Sequence, residues 1–352
     1  MIRKTAPLFA LAFVLAPVGA VARPPADAAI TRTGDGQLSL SWSSLDPVDV
    51  LVAESPRASL KSAKLVSPRD ADGRHILSGN GTQRSYFILR DVRTGETTRV
   101  AERLVPLEAG SNFRDIGGYA AAGGKHVRWG LIYRSGATPL LTPADRERIK
   151  GLGLASMVDL RSDEERVLAP SRIDGVPYVA VGYSMGALMA GADGTAGMGT
   201  VYRRLPQMMA PQLRQIFAAL LRAEGPVAYN CSAGQDRTGF ATAVILSALG
   251  TDHAAIVGDY HLSTQYRRPE FEMPRLDPAQ HPGDPVVALF SRYQDDPRAR
   301  MPQPLKTADG KPYLDFAFAE MHDKWGGVEG YLHREIGLTA RDITRLRALY
   351  TN

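Results

Sequence analysis

"PVAYNCSAGQDRTGFATAVILSALG", residues 226–250, contains the only cysteine of the 352-residue chain. A short apolar run ends at Asn230, seven residues follow that are too polar and glycine-rich to continue it, and an apolar stretch then runs to Gly250. This order predicts a buried strand, a tight turn and a buried helix stopped by glycine. The first amides of a helix have no partner inside it. Together with those of the turn and the helix dipole, they converge on one point, which is an anion site. Gly234 and Gly239 permit a tight backbone there.

Within that loop, Arg237 offers a planar fork of donors to phosphate oxygens. Backbone amides of Ser232, Ala233, Gly234, Gln235, Thr238 and Gly239 are the remaining candidate phosphate contacts. Cys231 opens the loop at the centre of those amides, a setting that favours thiolate over thiol. A thiolate placed in line with a phosphorus atom can form a cysteinyl-phosphate, which water then hydrolyses. A phenol leaving group, with a pKa of about 10, benefits from a general acid. Asp236 is the nearest candidate and Asp115 the runner-up. The Thr238 hydroxyl is placed to donate to the sulfur.

Around the loop the chain divides in two. Residues 27–106 carry short alternating runs, "QLSLSW", "VDVLVAE", "SYFILRDV" and "TTRVAERLVPL", separated by turn-rich stretches. They predict a small antiparallel β-sandwich with Trp42 and Tyr86 as core aromatics, similar in architecture to fibronectin type III or immunoglobulin-like modules. Its expected part is that of a spacer, a docking surface for a protein partner or a support for a lid. From residue 108 to the C-terminus, helical and strand patterns alternate, which predicts an α/β domain with a parallel sheet flanked by helices. Thr142-Pro143 opens one helix. Leu213, Ile216, Phe217, Leu220 and Leu221 form one face of another, and Thr339 caps the last. Residues 267–312, rich in proline and polar residues, read as an insertion or lid.

The N-terminus, "MIRKTAPLFALAFVLAPVGAVARPP", has a basic start, an apolar run over 7–18 and small residues at 20–22. It reads as a signal peptide cleaved after Ala22, giving a secreted or periplasmic protein. No stretch reaches about 18 apolar residues, so stable membrane insertion is not expected. A formal net charge of +5 suits anionic substrates, and no basic stretch is interleaved with aromatics as nucleic-acid binding would require. Seven histidines are scattered without metal-ligand spacing, so neither a metal nor a cofactor is expected. "SDEERV" reads only as the acidic first turn of a helix, and Arg267-Arg268 as a solvated pair.

The loop "CSAGQDRTG" resembles the signature of cysteine-dependent tyrosine phosphatases, and most of all the bacterial secreted group acting on tyrosine and phosphoinositide phosphates. "NFRDIGGY" at 112–119, "LIYRSGAT" at 131–138, "LGLASMVDLRSDEE" at 152–165, Tyr202, "DYHLS" at 259–263 and "WGGVEGYLHREIGL" at 325–338 agree in order and spacing. The resemblance implies Cys231 as nucleophile, Arg237 as phosphate ligand and Asp236 as acid, with the pairs Arg114-Asp115 and Asp159-Arg161 supporting them. The expected activity is hydrolysis of phosphotyrosine proteins or small phosphomonoesters. Phosphoinositide hydrolysis and a silent phosphate-binding module are the alternatives. Two positions depart from the family: Asn230 stands where it usually has histidine, and Gln235 where phosphoinositide-acting relatives often carry lysine.

Overall fold

The computed structural model describes residues 24–33, 36–78, 84–171, 173–186, 197–301 and 303–352. The signal segment expected at 1–22 and most of the glycine-rich stretch 190–199 lie outside them. None of the described helices is long and apolar enough to cross a membrane.

Among the described residues, seven strands fill the front of the chain: β1 (Ala26–Arg32), β2 (Leu38–Ser43), β3 (Val48–Ala53), β4 (Lys64–Asp70), β5 (Arg74–Leu77), β6 (Tyr86–Asp91) and β7 (Thr97–Ala101). They pair antiparallel in two sheets, β1-β2-β5 and β4-β3-β6-β7. Alternation along β2 turns Leu38, Leu40 and Trp42 inward, where they meet Val48, Val50, Phe87 and Leu89. Tyr86 is not part of that core. It sits one residue before Phe87 and so points the other way, packing beside Leu51, Ala53 and Ile88 on the far face of its sheet.

The rest of the chain adds β8 (Arg114–Asp115), β9 (Ala120–Ala121), β10 (Lys125–His126), β11 (Ile132–Ser135), β12 (Ser156–Asp159), β13 (Tyr178–Ala180) and β14 (Val227–Asn230). Strands β9 and β10 form a separate ribbon, and the others form one sheet in the order β13-β12-β14-β11-β8. Neighbours from β13 to β11 run parallel, and β8 is antiparallel to β11. Strand β14 is therefore central and apolar on both sides. Val227 and Tyr229 enter one core, while Ala228 joins Phe113, Tyr133 and Met157 in the other.

Ten helices among the described residues accompany the sheet: α1 (Pro143–Lys150), α2 (Asp163–Leu168), α3 (Met198–Met208), α4 (Ala210–Arg222), α5 (Asp236–Leu249), α6 (His253–Tyr266), α7 (Pro285–Asp295), α8 (Leu314–Trp325), α9 (Val328–Tyr331) and α10 (Ala340–Tyr350). Thr142 and Thr339 each close a capping box on α1 and α10. Leu213, Ile216, Phe217 and Leu220 of α4 are buried. Helix α5 is buried nearly all round and ends at Gly250 in the left-handed region. Residues 267–312 contain α7 and several 3-10 turns.

A buried ion pair fastens the two halves. Arg84, which precedes β6, reaches Asp115 of β8 at 2.7 Å, and their side chains are 5 % and 0 % exposed. The same guanidinium donates to the Glu102 carbonyl and the Tyr133 hydroxyl. The carboxylate also accepts from the amides of Gly117 and Gly130. Trp129 packs on the front core and donates to the Arg99 carbonyl. Removing one member of a buried pair strands the other's charge. Arg84→Ala is therefore expected to lower unfolding free energy by about 3–5 kcal/mol. Denaturant unfolding checks it, and a loss close to zero contradicts the fastening role.

Candidate active site

In a parallel sheet the loops after the strands gather at one edge, where ligands of open α/β folds bind. Here the loops after β11, β12, β13 and β14 bring together Gly136-Ala137, Ser162 to Glu165, Tyr183 and the residues from Cys231 onward. Cys231 is 2 % exposed, at the base of a cavity of about 780 Å³. Ser232, Ala233, Gln235, Asp236 and Arg237 line the same cavity, and Met273, Leu289, Phe290, Tyr293 and Leu305 of the insertion form an apolar wall.

The loop's conformation is set by what holds its carbonyls. Ser232 O accepts from Ala137 N at 2.8 Å. Ala233 O and Gly234 O accept from Asn112 Nδ2 at 3.2 and 2.8 Å, and Gly234 O also from Arg134 Nη2 at 2.7 Å. Gln235 O accepts from Gly239 N at 2.8 Å. In a trans peptide the next residue's N–H points opposite to the carbonyl, so outward carbonyls turn the amides inward. The amides of Ala233, Gly234 and Gln235 accordingly have no acceptor among the described residues. Gly234 has φ +67, and a Cβ there would lie 2.6 Å from Gly136 N, so no other residue fits.

Behind the loop lies a buried carboxylate. Asp259 of α6 meets Arg134 Nη1 at 2.5 Å and Arg114 Nε at 3.3 Å. Burial opposes its charge, but the two arginines hold its pKa well below the ordinary carboxylate value. Arg114 in turn holds the Asn112 side chain, and Asn112 adopts φ 55, which asparagine tolerates. The expected Arg114-Asp115 pair is thus split. Consecutive strand residues face opposite sides of the sheet, so Arg114 turns to Asp259 and Asp115 to Arg84. Asp115 does not line the cavity, which removes it as the runner-up acid.

Arg237 is held by Glu165, whose sequence context marks only the first turn of a helix. Ser162 and Glu165 form a capping box on α2. The same Glu165 carboxylate receives Arg237 Nη1 at 2.6 Å, Arg237 Nη2 at 2.7 Å and Ser232 Oγ at 2.6 Å. Tyr183 Oη accepts from Arg237 Nη1 at 2.6 Å. This leaves the Nε–H and one Nη2–H, the side-on edge of the guanidinium, without a partner among the described residues. That edge suits two phosphate oxygens. Asp159 and Arg161 pair with each other, fully buried, and Arg161 also donates to the Ala169 carbonyl. They brace the bend between β12 and α2 and do not touch the cavity.

Other expectations at the loop are corrected. Thr238 Oγ1 points to the Ser135 carbonyl at 3.5 Å rather than to the thiol. The Gly239 amide is engaged by Gln235 O, so it has no donor for phosphate, and its lack of a side chain admits the Tyr260 ring instead. Of the arginine pair, Arg267 lines the cavity, bound to Glu272 and donating to Gln235 Oε1, while Arg268 binds carbonyls of Leu107 and Glu108. Asn230 is buried. Its Nδ2 donates to the Cys231 carbonyl at 3.2 Å, and its Oδ1 has no partner among the described residues.

Burial pushes the Glu165 carboxyl up, but Arg237 and the hydroxyl and amide donors outweigh it and bring the pKa down from 4.5 to about 2. A depressed carboxylate stabilises the fold above its unfolded pKa, and that contribution fades as pH falls toward the folded value. Its size is about 3 kcal/mol, at about 1.4 kcal/mol per pKa unit. Glu165→Gln is expected to flatten the pH dependence of unfolding free energy between pH 4.5 and 2. An unchanged slope in that window contradicts the clasp.

Comparison with known proteins agrees with this geometry. A family model described as the tyrosine phosphatase family matches residues 105–352. A putative tyrosine-protein phosphatase of Cupriavidus necator is 32% identical over 255 residues, covering 68% of this chain and 85% of the relative. A tyrosine-protein phosphatase of Nostoc commune is 28% identical over 217 residues, covering 59% and 69% respectively. The triple specificity protein phosphatase PtpB of Mycobacterium tuberculosis is 28% identical over 277 residues, covering 68% and 95%. The chain belongs to the tyrosine phosphatase family, and its activity is that of a phosphatase.

Proposed function

We propose that this phosphatase hydrolyses phosphotyrosine through a cysteinyl-phosphate on Cys231. The observation that carries the reading is the convergence of the unengaged loop amides and the open edge of Arg237 on the cavity that holds the thiol. The sulfur attacks phosphorus as the bond to the tyrosine oxygen breaks, and Asp236 gives that oxygen its proton. Water then attacks the phosphorus as the S–P bond breaks, gives a proton to Asp236, and phosphate and the thiolate are released. Arg237 and the amides bind the equatorial oxygens throughout, where negative charge is spread.

The apolar wall from the insertion favours an aryl ester. Of the other two cavity arginines, Arg267 is already neutralised by Glu272 and Arg275 pairs with Asp295 at the exposed rim, and Gln235 adds no charge. Both features support a singly phosphorylated aromatic substrate over a polyphosphorylated headgroup, although one relative is named for triple specificity. The reading extends to location and architecture. The basic and apolar start of the chain supports export with cleavage after Ala22, and the front module is read as a fibronectin-type sandwich open to a protein partner.

Phosphate release from phosphotyrosine peptides, measured in chelator, is expected to vanish in Cys231→Ser. Equal rates in the two proteins refute the mechanism. Asn230→His, which restores the residue usual in the family, is expected to speed iodoacetate inactivation of Cys231 at mildly acidic pH. An unchanged inactivation profile shows that Asn230 does not limit the thiolate.

A further inference from the structure

Asp236 is not alone at the cavity edge. Tyr202 of α3 places its hydroxyl 2.5 Å from Asp236 Oδ1 and 2.5 Å from the hydroxyl of Tyr260 on α6. Tyr202 is fully buried, stacked on Tyr313 at 5.9 Å and edge-on to Tyr260 at 6.1 Å, so its ring has no freedom to leave. A phenol has one proton and an ionised carboxylate has none. With Asp236 ionised, the Tyr202 proton therefore goes to Oδ1 and Tyr260 donates to Tyr202. The chain of donors has one direction, and it ends on one particular oxygen of the carboxylate.

We propose that Tyr202, backed by Tyr260, is a positioning residue that fixes the Asp236 carboxyl so that Oδ2 alone carries the proton exchanged with substrate and water. The inference rests on Asp236 acting as the acid. Oδ1 is occupied by Tyr202, and Oδ2 makes no hydrogen bond among the described residues. Protonating Oδ1 instead requires both tyrosine hydroxyls to turn over together. Burial and the Asp236 charge hold the Tyr202 hydroxyl well above its ordinary pKa, so it remains a donor across the working range. Asp236 is also the first residue of α5, so its backbone is already fixed by the helix and only the side-chain rotation is left to define. A carboxyl free to rotate would present its proton along the scissile bond only part of the time, and misplacement of that kind costs rate at the step where the leaving group departs.

The test compares kcat/KM for a phosphotyrosine peptide, whose phenolate needs a proton, with that for dinitrophenyl phosphate, whose phenolate does not. Tyr202→Phe keeps the ring stack and removes only the hydroxyl. Its loss on phosphotyrosine is expected to exceed its loss on dinitrophenyl phosphate by about tenfold. Tyr260→Phe is expected to show the same signature at smaller size, and Asp236→Asn the same signature at about a hundredfold or more. Equal losses on both substrates in Tyr202→Phe, or no loss on either, overturn the positioning role while leaving Asp236 as the acid if its own variant discriminates. If Asp236→Asn fails to discriminate, the acid assignment falls and the role of Tyr202 falls with it.

Discussion

The outward pull on four carbonyls governs this structure. The peptide planes from Ser232 to Gln235 cannot turn their amides toward the cavity unless their oxygens are held elsewhere. The holders come from separate segments: the Ala137 amide after β11, the Asn112 side chain before β8, Arg134 within β11, and the first turn of α5. Two of these depend on Asp259 of α6, which gathers Arg114 and Arg134 in the core. An anion cradle of seven residues is thus a property of the sheet strands about a hundred residues upstream and of the next helix, α6.

The charges around the cradle follow a single pattern. Arg237 faces Glu165, Arg267 faces Glu272, Arg161 faces Asp159, and Arg114 and Arg134 share Asp259. Each guanidinium is held rigid by a carboxylate, and Arg237, Arg267 and Arg161 are largely cancelled by theirs, while Arg114 and Arg134 keep one net positive charge between them in the core behind the loop. The groups that can touch phosphate are then the oriented loop amides and the open edge of Arg237, which act at short range and reward geometry over charge count. This explains why the modest net charge of the chain is no measure of how strongly the cavity holds an anion.

What could be read from the sequence was local. The strand, loop and helix around Cys231 were legible because hydrophobic runs, glycines and a helix stop lie within 25 residues. Helix caps at Thr142 and Thr339 were legible for the same reason. Strands β1, β4 and β5 carry no clean alternation to read, because all three are sheet edges whose exposed positions mix polar residues with Ala29, Leu65 and Ile76. Strand β4 even carries Pro68, which only an edge accepts. Glu165 was visible as the fourth residue of a Ser-x-x-Glu box, but nothing in that pattern names Arg237, 72 residues on, as a second partner of the carboxylate. Arg114 and Asp115 looked like a pair because they are adjacent. Adjacency on a strand is what sends them to opposite faces, toward partners at Asp259 and Arg84 that only the fold brings near.

The seat of Arg84 on Asp115 bears on where the enzyme begins. The family match starts at residue 105, after the last strand of the two front sheets. A chain cut there would keep every group that lines the cavity. It would also expose the Trp129 ring, and would leave a fully buried carboxylate facing the gap where its guanidinium had been, one residue from Arg114 on the strand that pairs with β11. The boundary of recognisable sequence therefore cuts through a set of buried contacts, those of Arg84 with Asp115 and of Trp129 with the front core.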